Sequence, residues 1–343
     1  MELNKQVRLF NEDAPNLAET ILDEHSGILY WDEQNPAYYN VYHELVGNFW
    51  HAHEVSLKQD SADWHSRMSE EEKDFFKRGI SQLVVLDSVA TVADGMFSAY
   101  IKNPAIKAIM AYIGSQEAIH NETYTYITTT FMSREESQKV FETPKTDEQI
   151  KEANKIILDV FETFATNPTA ENLVRGLVAM AMLEGIRFTN GFTPFYLLAR
   201  NKRMKNSSTL ITYIQRDEVQ HSYFQTLVVR QLLTEFPELN NEELTKWIYK
   251  SFRDVVAKEK ELSRSMYKDG FLGIDMVELE MYIEWRANLI LKNLGLTEIF
   301  ETKSNPMRWI KGFDSESINN KKVDFFEGRV DNYTKVTGRF DDL

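Results

Sequence analysis

The sequence contains no cysteine, and that absence excludes several kinds of chemistry. Disulfides, zinc–thiolate sites, cysteine-ligated iron–sulfur clusters and thiol nucleophiles all need the missing side chain. Glycine and proline are also scarce, at 14 and 8 of 343 residues, which favours long helices over many short strands. The polar first ten residues do not resemble a signal peptide, and no apolar run approaches the roughly 20 residues of a membrane-spanning helix. We therefore expect a soluble cytoplasmic protein with no membrane partner.

Positive charge is in deficit as well, because 39 lysines and arginines face 53 acidic residues. The resulting formal net charge of −14 disfavours electrostatic binding to nucleic acid or to an anionic membrane. A chain of 343 residues is nevertheless long enough to bury a sizeable core.

Capping signals divide the chain into long helical runs. Ser69-Glu70-Glu71-Glu72 is a capping box, and Asn103-Pro104 combines an N-cap with a first-turn proline. Each run repeats apolar residues at three- and four-residue spacing, and no convincing strand pair is present. We predict helices over about 70–99, 104–132, 147–164, 169–199, 207–236, 242–268 and 275–293. Seven or eight long helices with short connections pack as an all-α bundle.

The runs also suggest a division of the chain. Residues 1–65 read as an irregular N-terminal extension that packs on the bundle, and residues 66–300 form the bundle itself. Residues 301–343 are polar and end in a mobile tail.

Two of the seven histidines share a local pattern, since each has a glutamate three residues earlier. The pairs are Glu117-x-x-His120 and Glu218-x-x-His221. On a helix this spacing places both side chains on one face, where both can bind one metal ion. The motif alone is weak because glutamate is abundant in this chain.

Each motif is preceded by an acid inside an apolar helical run. These acids are Asp87 and Glu184, and a lone carboxylate among apolar neighbours is costly unless it is paired or metal-bound. The break at Asn103 lies 16 residues after Asp87 and 14 before Glu117, so a helical hairpin brings the two acids level. Glu184 and Glu218 fold back in the same way across a polar break near 201–206.

The pattern therefore predicts four carboxylates and two imidazoles in one bundle core. Oxygen donors combined with imidazole suit two Fe or two Mn ions, with glutamate bridging them. Six ligands for two ions leave positions open for an oxidant. The alternative is that these are unrelated buried polar residues that hydrogen-bond to one another.

Around these residues the sequence resembles the small, radical-generating subunit of class I ribonucleotide reductase. The resemblance runs from about Trp50 to the C-terminus, and the matching segments are Leu86-Asp87-Ser88, Gln116-Glu117-Ala118-Ile119-His120 with Tyr124, Leu183-Glu184-Gly185-Ile186-Arg187-Phe188 and Arg216-Asp217-Glu218-Val219-Gln220-His221. It implies a ferritin-like helical bundle with extra helices and a flexible C-terminal tail. It also implies a dinuclear Fe or Mn centre, with the ligands Asp87, Glu117, His120, Glu184, Glu218 and His221.

The resemblance further implies a radical and a route for it. Tyr124, four residues after His120 on the same helix face, would carry a tyrosyl radical. Its shelter would be formed by Phe188, Phe192 and Ile214. The radical would pass through Asp217, Trp50 and Tyr333 to the large subunit, which reduces ribonucleotides to deoxyribonucleotides. From the residues alone, Tyr124 and Trp50 also suit ordinary core positions, and Tyr333 suits an ordinary tail tyrosine.

Partners follow from the same resemblance. It implies docking of the apolar and acidic end, Arg339–Leu343, on the large subunit. It also implies a homodimer and, for a manganese enzyme, a flavodoxin-like activating partner. Because it has no cysteine, the chain cannot reduce ribonucleotides alone. Two other functions remain open on this scaffold: a dimetal oxidase or hydroxylase acting on a small organic or lipid substrate, and a metal-storage protein or ferroxidase of the ferritin kind.

Overall fold

The computed structural model describes residues 1–5, 8–31, 36–267 and 270–313, and these contain helices but no β-strand. The all-α prediction is therefore confirmed for this part of the chain. Tyr333 and the predicted docking tail lie outside the described residues. The helices are α1 (Pro36–Gly47), α2 (Lys58–Ser66), α3 (Glu70–Ser98), α4 (Pro104–Phe131), α5 (Arg134–Thr146), α6 (Glu148–Thr166), α7 (Ala170–Met182), α8 (Thr189–Gly191), α9 (Thr193–Arg200), α10 (Lys205–Glu235), α11 (Glu242–Met266) and α12 (Met276–Asn293).

Most helix starts follow the local capping chemistry that the sequence shows. The Ser69 hydroxyl accepts a hydrogen bond from the Glu72 amide at 3.2 Å, while the Glu72 carboxylate accepts one from the Ser69 amide at 2.8 Å. The Asn103 side chain caps α4 in a similar way. The predicted starts of α6, α7, α11 and α12 are also confirmed, with side-chain caps at Asp147, Thr169, Asn241 and Asp275.

Three predictions about helices were wrong. The N-terminal 65 residues are not all irregular, because α1 and α2 lie there. Helix α5 was missed, although Ser133 and Glu136 form a capping box before it. The run over 169–199 is not one helix, since a π-helical segment, Leu183–Phe188, and a break at Phe192 interrupt it. Packing around these segments overrides the continuous helical pattern of the sequence.

Helix α10 begins at Lys205 rather than at Ser207 because a distant helix caps it. The Asp60 carboxylate, on α2, accepts hydrogen bonds from the amides of Asn206 at 3.1 Å and Ser207 at 2.6 Å. Asp63, one turn later, accepts one from the Met204 amide at 3.1 Å. These buried acids satisfy the free amides at the helix start and fix the position of α10.

Helices α3 and α4 pack along their lengths, and α10 packs against α7 and the π-helical segment. The statement that no apolar run approaches the length of a membrane-spanning helix needs a correction here. Among the described residues, α3 alone is long and apolar enough to span a membrane, but 61% of its most apolar stretch is buried inside the protein. Its apolar composition is therefore that of a core helix.

The beginning of the chain is joined to the bundle by main-chain hydrogen bonds. The Leu3 amide donates to the Pro168 carbonyl at 2.8 Å, and the Ala170 amide donates to the Met1 carbonyl at 2.9 Å. The division into an extension, a bundle and a tail stays a prediction.

Candidate metal centre

The structure brings together all six predicted ligands at the centre of the bundle. Helix α3 supplies one of them, α4 two, the π-helical segment one and α10 two, and every one of these side chains is fully buried. They form two groups, within each of which the potential ligand atoms lie within 4.8 Å of one another: Asp87, Glu117, His120 and Glu218, and Glu117, Glu184, Glu218 and His221. Two glutamates belong to both groups, as expected for two ions that share bridging ligands.

The two shared glutamates each turn one oxygen toward each imidazole. His120 Nδ1 lies 3.0 Å from Glu218 Oε1 and 3.5 Å from Glu117 Oε2. His221 Nδ1 lies 3.0 Å from Glu117 Oε1 and 3.3 Å from Glu218 Oε2. Both carboxylates therefore have the orientation of bridging ligands.

The unsatisfied atoms of this cluster test whether metal ions fit. Apart from these contacts with one another, both oxygens of each of the four acids and the Nδ1 atoms of both histidines have no hydrogen-bond partner among the described residues. Buried polar atoms are normally paired, and unpaired buried carboxylates are very costly. Two divalent cations would balance the four negative charges and give each of the four acids and both histidines a ligand bond. The donor set thus fits a dinuclear centre of Fe or Mn.

The outer nitrogens of the histidines have partners of their own. His120 Nε2 lies 3.3 Å from Asp217 Oδ2, and His221 Nε2 lies 3.1 Å from Gln116 Oε1. Such contacts fix the ring orientation and leave Nδ1 facing the centre. Gln116 was not predicted for this role, although it directly precedes Glu117 in the motif.

Protonation in the metal-free cluster follows from these contacts. Burial opposes a charged imidazole, but the surrounding carboxylates outweigh it and raise the pKa of His120 and His221 well above the usual range. Burial likewise opposes ionisation of Glu117, yet contacts with the two histidines lower its pKa to about 2. At Asp87 and Glu184 burial dominates and raises the pKa.

A further buried acid, Asp94, escaped the sequence prediction. It lies on α3 two turns after Asp87 and is 1% exposed. Gln225 Nε2 donates to one of its oxygens at 3.1 Å, while the other oxygen has no hydrogen-bond partner in the part of the chain that the structure describes. The seven-residue spacing from Asp87 could have indicated that both acids face the same interior.

Tyr124 is also fully buried, and its hydroxyl has no hydrogen-bond partner among the described residues. Burial first, and then the charges of Asp87, Glu218 and Glu117, raise the pKa of the phenol well above its usual range. The three predicted shelter residues, Phe188, Phe192 and Ile214, are fully buried as well. The rings of Phe188 and Phe192 stack with their centroids 5.8 Å apart.

Trp50 lies on the other side of His120. Its indole is 2% exposed, and its ring stacks on the His120 ring at 5.9 Å with an angle of 18° between the planes. Trp50 Nε1 donates to Asp217 Oδ2 at 2.7 Å. The structure thus connects Trp50, Asp217 and His120 by direct contacts.

Paired Glu-x-x-His helices that turn carboxylates and imidazoles into a bundle core are typical of ferritin-like dimetal-carboxylate proteins, and this chain is a member of that class. Comparison with known proteins narrows the class. The model of the family described as ribonucleotide reductase, small chain, matches residues 28–306. The chain belongs to this family, whose members are subunits of an oxidoreductase.

Individual relatives agree with the family match. A ribonucleoside-diphosphate reductase subunit beta from Halalkalibacterium halodurans is 34% identical, with 100% of both chains covered. One from Treponema pallidum is 29% identical over 88% of this chain and 86% of its own length. The solved R2 subunit from Clostridium botulinum superposes with a TM-score of 0.85 at 30% identity, covering 91% of this chain and 99% of that one. The predicted ferritin-like bundle and the family resemblance are therefore confirmed.

Proposed function

We propose that this subunit generates and stores a tyrosyl radical at Tyr124 and exports it to the large subunit, where ribonucleotides are reduced to deoxyribonucleotides. The proposal depends chiefly on the position of this buried, unpartnered phenol among the carboxylates of the candidate centre. The ions would be two Fe or two Mn, held by Asp87, Glu117, His120, Glu184, Glu218 and His221. When bound, such a pair supplies the oxidising power that removes one electron from a phenol.

Tyr124 must lose a proton together with its electron. Its raised pKa shows that a buried phenolate is unfavourable, so the phenol does not ionise first. Asp87 is the carboxylate whose charge acts most strongly on this phenol. We propose that its carboxylate assists the departure of the proton as the electron leaves.

A radical survives only where water and reductants cannot reach it. Phe188 and Phe192, both within eight residues of Glu184, supply stacked aromatic rings, and Ile214 adds an aliphatic wall from α10. All three are inaccessible to solvent. We propose that they enclose the Tyr124 ring and extend the lifetime of the radical.

Export needs a connection from the centre to the surface. The Asp217 carboxylate contacts both His120 and Trp50 through one oxygen, so a change of charge on either ring is felt by the other. We propose that Trp50 is the next carrier and that Tyr333 passes the radical across the subunit gap.

We also propose docking of Arg339–Leu343 on the large subunit, a homodimer in the cytoplasm and, if manganese is bound, a flavodoxin-like activator.

Electron paramagnetic resonance tests the assignment of the radical. Purified protein is loaded with Fe(II) or Mn(II), treated with oxidant and compared with the Tyr124→Phe variant. We expect a tyrosyl signal in the parent and in Tyr223→Phe, an exposed tyrosine on α10, but not in Tyr124→Phe. A signal that is unchanged in Tyr124→Phe would refute the assignment.

Removal of the tail separates this function from that of a dimetal oxidase on the same scaffold. Deletion of residues 330–343 should leave the tyrosyl signal intact and abolish ribonucleotide reduction with the large subunit. An oxidase acting on a small substrate would keep its full activity after this deletion.

A further inference from the structure

We infer that Glu259, on α11, is a positioning residue for one of the two metal positions, because its buried carboxylate holds the π-helical segment that carries Glu184. This position, called the second position below, is the ligand group of Glu117, Glu184, Glu218 and His221. Glu259 itself belongs to neither ligand group. The inference rests on the proposed function, since it assumes that two ions bind at the candidate centre.

The first observation is that one buried carboxylate binds two side chains of the same stretch of chain. Glu259 is fully buried, and its Oε1 accepts a hydrogen bond from Arg187 Nε at 2.8 Å. Its Oε2 accepts one from Asn190 Nδ2 at 2.8 Å and lies 3.5 Å from Gln82 Nε2 on α3. Arg187 lies three residues after Glu184 in the π-helical segment, and Asn190 lies in α8, which follows directly. Glu259 therefore joins this stretch to α11.

The second observation is that Arg187 depends on this contact. Arg187 is 1% exposed, and its two terminal nitrogens have no hydrogen-bond partner among the described residues. Glu259 forms the ion pair that balances its charge. A buried charge that loses its partner is strongly destabilising. The guanidinium is therefore held beside α11, and the π-helical segment is held with it.

The third observation is that the segment adopts a conformation that its own sequence does not favour. The apolar periodicity over 169–199 predicts one continuous α-helix, whereas Leu183–Phe188 is π-helical. Other side chains also bond to this turn, since the Gly185 carbonyl accepts hydrogen bonds from the Thr189 hydroxyl at 3.0 Å and from Arg286 Nε at 3.1 Å. Contacts with side chains thus maintain a turn that the local pattern would make α-helical.

The π-helical turn determines where the Glu184 carboxylate lies. Because a π-helical turn contains an additional residue, its conversion to α-helix would rotate the residues on one side of it by about 100° relative to those on the other. Such a rotation would displace the Glu184 carboxylate from the second position. The ligands that belong only to the other position, Asp87 and His120, lie on α3 and α4 and do not depend on this turn. Loss of the Glu259 contacts should therefore affect one metal position and spare the other.

Titration with Mn(II) tests this role. The full chain is prepared metal-free and titrated without oxygen, and the electron paramagnetic resonance signal of the free ion gives the number of bound ions and their affinities. The parent should bind two ions. The double variant Arg187→Met/Glu259→Met removes the connection without leaving an unpaired buried charge. It should bind one ion as the parent does and the other roughly 10–100-fold more weakly, the usual effect of losing a group that orients a metal ligand.

Hydrogen exchange of the metal-free proteins reports on the segment itself. Amides of residues 183–191 should exchange faster in the double variant, because α11 no longer holds them, while the amides of α4 should stay as protected as in the parent. A general loss of stability would instead increase exchange throughout the bundle. This measurement therefore separates a local effect on the turn from a weakened core.

Two further variants control the comparison. Arg264→Met/Glu280→Met removes an ion pair that joins the same helix, α11, to α12 with N–O distances of 2.7 and 2.8 Å, and it should bind both ions as the parent does. Glu259→Asp keeps the buried charge balanced but withdraws the carboxylate by one methylene group. It should weaken the second ion by a smaller factor than the double variant, and it preserves the test if the double variant does not fold.

The outcomes distinguish this inference from the proposed function. Two ions bound as tightly in the folded variants of Glu259 as in the parent would overturn the role of Glu259 alone. Equal weakening of both ions would also overturn it, because the effect would not pass through Glu184. Failure of the parent to bind two ions would overturn the proposed dinuclear centre together with this inference.

Discussion

Trp50 and Asp217, which are 167 residues apart in the sequence, are joined by a buried hydrogen bond of 2.7 Å from the indole N–H to a carboxylate oxygen. The same oxygen lies 3.3 Å from His120, so this one carboxylate orients a candidate metal ligand and a candidate radical carrier together. Arg216, whose guanidinium lies 3.5 Å from the other oxygen, balances its charge. Most of our expectations for variants follow from this arrangement and from the unpaired acids beside it.

Substitution Trp50→Phe should separate radical formation from radical export. The phenyl ring preserves most of the packing but cannot donate to Asp217, and loss of a buried hydrogen bond to a charged group costs roughly 1.5–3 kcal/mol. We expect a folded protein of lower thermal stability that still forms the Tyr124 radical but does not support ribonucleotide reduction. The measurements are the tyrosyl signal and the product yield with the large subunit. Normal product yield would show that Trp50 is not on the export route.

Removal of one ligand charge should reduce the number of bound ions. Glu184 belongs to only one of the two ligand groups, so Glu184→Gln should weaken binding at that position and spare the other. Metal analysis after desalting should give about half the metal content of the parent. Added metal should also raise the melting temperature of the variant less than that of the parent, since ligand binding to the folded state stabilises it.

The control for this experiment is Glu242→Gln, at a glutamate whose side chain is 82% exposed. It should bind as much metal as the parent. Equal metal content in Glu184→Gln would mean that Glu184 is not a ligand.

Asp94 should make the stability of the metal-free protein depend on pH. Burial, and next the charge of Glu117, raise the pKa of Asp94 from 3.8 to about 8. Between these values the folded chain holds a proton that the unfolded chain has released, so this group lowers the free energy of unfolding as the pH rises. Asp94→Asn removes this effect and should be more stable than the parent near pH 8, with the difference shrinking toward pH 4.

Urea unfolding of the metal-free proteins across this pH range measures the effect. Asp74→Asn, at a side chain that is 76% exposed, serves as the control and should show no such trend. A constant difference between Asp94→Asn and the parent at all pH values would contradict the prediction.

The Tyr124 radical should be shorter-lived when its surroundings are loosened. Phe192→Ala creates a cavity in a fully buried position and should cost roughly 3–5 kcal/mol of stability. We expect the tyrosyl signal to decay faster, because water and small reductants gain access to the phenol. Phe252→Ala in α11, a fully buried position on a helix that supplies no candidate ligand, should cost similar stability and leave the decay unchanged. Equal decay rates in both variants would argue against a sheltering role for Phe192.

The sequence by itself determined the helical class, most helix starts and the six clustered acids and histidines. These features are local: a cap such as Ser69 bonds to an amide three residues away, and Glu117 and His120 share a face through the helix period alone. Even the hairpin that brings Asp87 to Glu117 follows from counting residues on either side of Asn103.

Only the tertiary structure decided which distant groups complete the site. Three contacts join segments that lie far apart in the chain: Asp60 caps α10, Gln116 contacts His221, and the rings of Trp50 and Tyr213 pack together. The π-helical turn at Glu184 depends on the packing around it. No local periodicity encodes such contacts, because their free energy comes from burial and hydrogen bonding between elements that meet only when the bundle has formed.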